Sequence, residues 1–149
     1  MTVRIRLLLQ KKVVPGEYCN EKYGFCIKFP EGAFTVMEGS ETDEGVILIG
    51  ADTLGQLAIH RGNLNSTITS GTDLKKAYDE DLKLSSNREV TYNAFNSTNY
   101  VLMGYKNKII FYQKTVISNG QIVTAILTYD DKAKDAYYPM IDSMFKSLR

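Results

Sequence analysis

Hydrophobic and polar residues alternate with a period of two along much of the chain, which is typical of β-strands. Asn119-Gly120, between the last two alternating segments, is a residue pair that type I′ hairpin turns prefer. Between Ile109 and Ile117 large side chains occur at both parities, which predicts a strand covered on both faces. The predicted strands are Tyr23–Phe29, Ala33–Met37, Gly45–Ala51, Gln56–Arg61, Glu89–Phe95, Asn99–Lys106, Lys108–Ser118 and Gln121–Tyr129.

Two segments have the 3.6-residue period of amphipathic helices. The first is Thr72–Ser85, which Ser70 or Thr72 is suited to cap. The second is Asp131–Leu148, in which Pro139 predicts either a kink or a later start of the main helical segment. Because strands, a helix, strands and a helix follow one another, the predicted class is α+β. We expect a central antiparallel sheet of about six to eight strands flanked by two helices.

Pro15-Gly16 separates an N-terminal arm, residues 1–16, from a single α+β domain over residues 17–149. Met1–Lys12 alternates as a strand does, but its basic residues before Leu7-Leu8-Leu9 also fit a leader remnant, an altered start or a start further upstream. As a strand it would be suited to exchange between protomers, which predicts a homo-oligomer. The longest apolar run, Val46–Ile49, is far shorter than the ~20 residues of a transmembrane helix, so no such span is expected.

Two stretches carry a family resemblance. Tyr18–Pro30 includes the letters Y-G-F-C-I-K-F-P, and the chain ends in Tyr138-Pro139-Met140-Ile141 and then Met144-Phe145-Lys146-Ser147-Leu148. The first resembles the opening Y-G-F-x-I-x-(F/Y)-P strand of small PsbP-like bacterial proteins, and the second is similar to the helix that closes such domains. The resemblance covers residues 17–149. It implies the PsbP/Mog-like fold, named also for the Ran-binding Mog-type nuclear transport factor, with helices on both sides of an antiparallel sheet, and it transfers no active-site residue.

The amino-acid composition argues against several classes of function. The chain has 149 residues, of which 44% are hydrophobic and 23% charged, as expected for one globular domain with a real core. Lys and Arg number 18 against 17 Asp and Glu, so no net field favours nucleic acid as a partner. With one histidine and two cysteines in the chain, few metal sites or histidine-dependent mechanisms remain. We therefore predict no catalytic residue, no cofactor and no metal.

Cys19 and Cys26 are the most informative residues. They bracket a polar stretch that ends in Gly24 and is suited to turn the chain back on itself, which would allow a disulfide. An even cysteine count at one local site suits an oxidising compartment. The alternative is two unrelated buried thiols in a cytoplasmic protein. A redox catalyst would more usually show C-x-x-C, and zinc would need two further ligands.

Other candidate groups are better explained by structure than by chemistry. His60 could act as a general base oriented by Asp52, with a serine as nucleophile, but no spacing supports such a triad. Asp79-Glu80-Asp81 occupy consecutive helix positions and therefore point in different directions. Asp130-Asp131 fits a helix N-terminus.

Tyrosines are concentrated in the C-terminal strands. Such a surface can bind partners, because tyrosine offers a large contact area at low entropic cost. The simpler interpretation is that the rings pack beneath the two helices. The tyrosines concerned are Tyr92, Tyr100, Tyr105, Tyr112 and Tyr129.

The leading functional hypothesis is a non-enzymatic, periplasmic or secreted domain that acts through protein–protein or small-ligand binding. The alternative is a cytoplasmic secretion chaperone or adaptor that binds apolar client segments. That alternative requires reduced cysteines and an exposed apolar groove. A small enzyme with carboxylate or tyrosine chemistry is the third hypothesis. The identity of a protein partner is not encoded in any motif of the sequence.

Overall fold

A computed structural model describes residues 13–84 and 88–149. The predictions for Met1–Lys12, a strand or a leader remnant with a homo-oligomer formed through the arm, lie outside the described residues. Of the helices in the described ranges, none is both long enough and apolar enough to cross a bilayer.

Three short strands form a small antiparallel sheet near the N-terminus: β1 (Val13–Val14), β2 (Glu17–Cys19) and β3 (Cys26–Lys28). The prediction of one strand over Tyr23–Phe29 is therefore wrong in its bounds. Asn20 explains the difference, because its Oδ1 accepts from Tyr23 N at 2.8 Å and its backbone oxygen accepts from Gly24 N at 2.8 Å. These bonds curl residues 20–24 into a turn, which Gly24 closes at φ +79°.

The central sheet has seven antiparallel strands among the described residues, as the sequence predicts. Asn119 (φ 53°) and Gly120 (φ 76°) form the predicted tight turn between its two longest strands. The strands, in spatial order, are β4 (Phe34–Val36), β5 (Gly45–Gly50), β6 (Gly55–Arg61), β10 (Gln121–Asp130), β9 (Ile109–Ser118), β8 (Asn99–Lys106) and β7 (Glu89–Phe95).

One helix, α1 (Leu74–Lys83), covers part of one face of the central sheet, which we call the α1 face. A 3₁₀ turn, Gly71–Asp73, precedes it, and Ser70 Oγ accepts from Thr72 N at the cap as predicted. Leu74 and Ala77 are buried against Leu102 of β8. This face holds the smaller of the two apolar clusters.

The opposite face of the sheet is covered by the C-terminal helical segments and by the small sheet. The interruption predicted at Pro139 in the segment Asp131–Leu148 is present, but the segment is divided further, into four short pieces. Pro139 lies in the third of the four pieces, where it cannot donate a backbone hydrogen bond. Asp130 caps the first piece through Lys132 N, at 3.0 Å. The pieces are a 3₁₀ turn (Asp131–Ala133), α2 (Lys134–Tyr137), a 3₁₀ turn (Tyr138–Met140) and α3 (Ile141–Lys146).

Strand β9 is covered on both faces of the sheet in its middle but not at its ends. Phe111 on the α1 face is buried, and Tyr112 on the opposite face packs on Phe145 with ring centroids 4.5 Å apart. The prediction of cover on both faces therefore holds for the middle of the strand. Its ends are open, because Ile109 and Ile117 keep 40% and 36% of their surface exposed.

Candidate functional site

A cleft of about 650 Å³ opens on the α1 face, over the strands that α1 leaves uncovered. We call it the sheet cleft. Strand residues form its floor. Residues of the surrounding loops and of the C-terminal end of α1 form its walls. The floor residues are Gln56, Ala58, Ile109, Phe111, Ile126 and Thr128, and the wall residues are Leu64, Leu84, Arg88, Lys106 and Asn107.

The cleft exists because α1 covers only part of this face and one floor side chain is small. The apolar residues of α1 cluster with residues of β8, β9 and the start of β10, and β6 and the rest of β10 stay uncovered on this face. Ala58 lies directly opposite Ile126 in the β6–β10 register, so the middle of the floor is recessed. Both residues are only half-buried although they belong to central strands. The sheet therefore presents an apolar hollow that no described element fills.

Arg88 is fixed at one wall of the cleft. Its Cζ atom lies 4.4 Å from the centroid of the Phe111 ring, and its Nη2 donates to Gln113 Oε1 at 3.2 Å. A guanidinium stacked on an aromatic ring and held by one hydrogen bond keeps a defined plane. Burial lowers the pKa of Arg88, and the nearby Asp81 carboxylate opposes that change.

Behind this wall lies a buried polar network centred on Asp81, which has no exposed surface. Its Oδ2 accepts from Tyr100 Oη at 2.5 Å and from Gln113 Nε2 at 2.9 Å. Its Oδ1 accepts from the backbone N–H of Leu64 at 3.1 Å. Asp81 therefore joins α1 to the sheet and to the loop that follows β6.

Burial raises the pKa of both acidic groups of this network. Burial raises the pKa of the Asp81 carboxyl, although the bonds from Tyr100 and Gln113 partly offset the change. Burial together with the adjacent Asp81 raises the pKa of Tyr100 far above its usual range, so the phenol stays protonated and donates. Both groups are saturated by protein partners, which makes them structural.

The acidic run Asp79-Glu80-Asp81 is spread over three environments, as its helical spacing predicts. Asp79 forms an exposed ion pair with Lys75 at 2.9 Å. Glu80 accepts from Asn63 Nδ2 at 2.9 Å and so helps to hold the loop. Sequence reasoning did not foresee that Asp81 is buried. The signal was present, because Asp81 lies seven residues after Leu74 and three after Tyr78, on the apolar stripe of α1.

The structure does not assemble the triad considered for His60. Ser66 Oγ lies 3.2 Å from His60 Nδ1, but the same nitrogen contacts the Arg61 carbonyl at 3.1 Å. An Nδ1–H that donates to that carbonyl cannot accept the serine proton. Asp52 precedes the opposite end of β6 and accepts from Tyr137 Oη instead. Burial lowers the pKa of His60.

Cys19 and Cys26 are directly opposite each other in the β2–β3 pair, with Cα atoms 4.1 Å apart and sulfur atoms at bonding distance. Glu17 adds one carboxylate oxygen within 4.8 Å of both sulfurs, but it also pairs with Arg149 at 3.6 Å. Cys26 in turn exchanges two backbone hydrogen bonds with Arg149. The cysteine pair therefore lies where the small sheet meets the C-terminus. Its oxidation stays a prediction.

Replacing both cysteines by serine is expected to lower the free energy of unfolding by about 2.5 kcal/mol, the loop-closure value for a loop of about eight residues. Urea unfolding with and without reductant measures the effect. Wild type in reductant should match the double serine variant. Equal stability of oxidised and reduced wild type would contradict the prediction.

The tyrosines of the C-terminal strands divide between core and surface. Tyr100 and Tyr129 are buried, and Tyr112 is half-buried under α3. Tyr92 and Tyr105 remain exposed, at 52% and 43%. Packing beneath the helices thus accounts for three of the five rings.

Comparison with protein-family models finds no match, and comparison with curated proteins finds none either. Solved structures with a similar fold include the following two. The first is cyanobacterial PsbP (CyanoP) from Synechocystis sp. PCC 6803, with a TM-score of 0.55 and 15% identity over 89% of this chain and 90% of that chain. The second is a Bacteroides thetaiotaomicron VPI-5482 crystal structure at 1.50 Å, with a TM-score of 0.49 and 13% identity over 92% of this chain and 48% of that chain. At these identities the likeness concerns the fold alone.

Proposed function

We propose that this chain, which has a PsbP-like fold, is an exported, non-enzymatic binding domain that takes a small apolar ligand in the sheet cleft. The observation that carries the proposal is the cleft itself. Its volume of about 650 Å³ lies within the ~300–1,000 Å³ typical of small-molecule sites. Its floor is a stable sheet, so the site exists before the ligand arrives.

The polar groups around the cleft support binding rather than catalysis. Asp81 accepts three hydrogen bonds and is buried, so it has no lone pair directed at a ligand in the cleft. Within the described ranges no carboxylate hydrogen-bonds to His60, since Asp52 bonds with Tyr137 instead. A hydrolytic or acid–base mechanism needs such groups to converge on one point.

The cysteine pair supports export. Two sulfurs at bonding distance across neighbouring strands suit an oxidising compartment. The alternative, a cytoplasmic chaperone for apolar client segments, shares the requirement for an apolar groove but needs both thiols reduced. Thiol labelling of protein taken from its own cells, with and without prior reduction, separates the two. Labelling only after reduction is the result that export predicts.

Titration with the neutral fluorescent probe N-phenyl-1-naphthylamine tests binding in the cleft. Wild type should bind one molecule per chain with a saturable rise in fluorescence. Ala58→Trp places a large ring on the recessed floor and should abolish this signal. Ala94→Trp is the matched control, because Ala94 is an exposed strand residue on the opposite face of the sheet. Equal probe binding by wild type and Ala58→Trp would refute the proposal.

A further inference from the structure

We propose that Arg88 binds the anionic group of the ligand, so that the sheet cleft takes an amphipathic monocarboxylate whose apolar body lies on the strands. This inference rests on the proposed function and adds to it the chemical class of the ligand. It has three independent supports: the way Arg88 is held, the donors it leaves unused and the charge of the cleft walls.

Arg88 is oriented in advance of binding. Phe111 forms part of the cleft floor and also lies 4.4 Å from the guanidinium carbon. Gln113 accepts from Nη2, and its own amide nitrogen donates to Asp81 at 2.9 Å and to Thr115 at 3.2 Å. The support of the guanidinium is thus itself buried and hydrogen-bonded. A planar fork held in this way matches the two oxygens of a carboxylate.

Most of the donors of this guanidinium are unused within the described ranges. An arginine carries five N–H groups, and Gln113 takes one of them. The Nε atom is buried and has no hydrogen-bond partner, and Arg88 has no ion pair among the described residues. Buried donors without acceptors are unfavourable and rare in folded proteins. An anion at this wall would accept from the Nη N–H groups that Gln113 leaves unused, whereas Nε is too buried to reach it.

The charge of the walls points to a single negative charge on the ligand. Among the described lining residues, Arg88 and Lys106 are the cations and none is acidic. Asp81, buried behind the wall, offsets part of the charge of Arg88. The excess near the cleft is therefore about one positive charge, which suits a monocarboxylate better than a dianion. The floor supplies the complementary apolar surface through Ala58, Ile109 and Ile126.

Calorimetric titration of wild type with three ten-carbon probes, decanoate, decanol and decyltrimethylammonium, tests the inference. Decanoate should bind at least about tenfold more tightly than the other two, because hydrogen bonds to charged groups are strong in a partly buried site. Its affinity should fall as salt is raised, while that of decanol should not.

Variants assign the preference to Arg88. Arg88→Gln should weaken decanoate binding about tenfold and leave decanol binding within about twofold. Arg88→Lys keeps the charge but loses the fork and should recover part of the affinity. Lys146→Gln is the control for an exposed cation outside the cleft, since Lys146 lies on α3 at the opposite face of the sheet and pairs with Asp142, and it should leave decanoate binding within about twofold. If Arg88→Gln does not fold, the wild-type probe series and its salt dependence still show whether the cleft prefers an anionic ligand.

The outcomes separate this inference from the proposed function. Equal affinity of wild type for decanoate and decanol overturns the role of Arg88 and leaves the cleft as a binding site. If Arg88→Gln binds decanoate as tightly as wild type does, the role of Arg88 is likewise overturned and the cleft remains a binding site. Failure of all three probes, together with failure of N-phenyl-1-naphthylamine, overturns both.

Discussion

Replacing Asp81 by alanine is expected to lower the free energy of unfolding by about 3–5 kcal/mol, because each buried donor left without an acceptor costs about 1–3 kcal/mol. Three donors lose their partner at once: Leu64 N, Tyr100 Oη and Gln113 Nε2. The same change weakens the support of Arg88, since the Gln113 amide nitrogen would keep only its bond to Thr115 Oγ1. Urea unfolding followed by circular dichroism measures the effect.

Asp79→Ala is the matched control, since Asp79 lies two residues earlier on α1 and has only an exposed ion pair with Lys75. Its effect should stay below about 0.5 kcal/mol. Equal effects of the two substitutions would mean that the buried network does not stabilise the fold.

The pH dependence gives a second readout of the same carboxyl. Burial raises the pKa of Asp81 above its ordinary value of 3.8, so the folded state binds the proton more tightly than the unfolded chain. The contribution of this group is therefore full at pH values below 3.8 and declines as pH rises towards the native pKa. The difference in unfolding free energy between wild type and Asp81→Asn should shrink as pH rises from about 4. A difference that grows over this interval would contradict the assignment.

Tyr137→Ala is the second substitution with a large expected effect, a loss of about 3–5 kcal/mol of unfolding free energy. Tyr137 is buried where the C-terminal helical segments meet the sheet. Its ring is stacked on Tyr129 with centroids 5.4 Å apart, and it packs on Phe34 at 6.2 Å. Its hydroxyl donates to Asp52.

Gly50 provides an internal test of this packing. A Cβ at Gly50 would overlap the hydroxyl of Tyr137, so Gly50→Ala should cost about 1–3 kcal/mol in wild type. In the Tyr137→Ala background the same methyl group would enter the vacated space and should cost nothing or stabilise. A double-mutant cycle by urea unfolding measures this coupling. Additive effects would show that Tyr137 does not occupy the space above Gly50.

Most of the secondary structure could be predicted from local patterns of hydrophobic and polar residues. Strands β7 and β8 have the predicted bounds, and the Asn119-Gly120 turn is where the sequence indicates it. Errors arose where a local bond or a single residue overrides the pattern. Asn20 turns the chain inside the stretch that alternates as a strand. The sequence predicts an interruption at Pro139, but not the division of the final helix into four short pieces.

The candidate site is less visible in the sequence, because it depends on residues far apart in the chain. Asp81 meets Tyr100 across 19 positions and Gln113 across 32. The cleft depends on which strands α1 covers, and this requires the strand order of the sheet. Cys19 and Cys26 could be proposed as a pair because the turn between them is local.

Amide chemical-shift mapping of ¹⁵N-labelled protein titrated with decanoate tests the central claim most directly, since it locates the ligand without any substitution. The account predicts that the largest shifts fall on Ala58, Leu64, Arg88 and Ile126 around the sheet cleft. Shifts concentrated instead around the exposed Tyr92 and Tyr105, on the other face of the sheet, would contradict it.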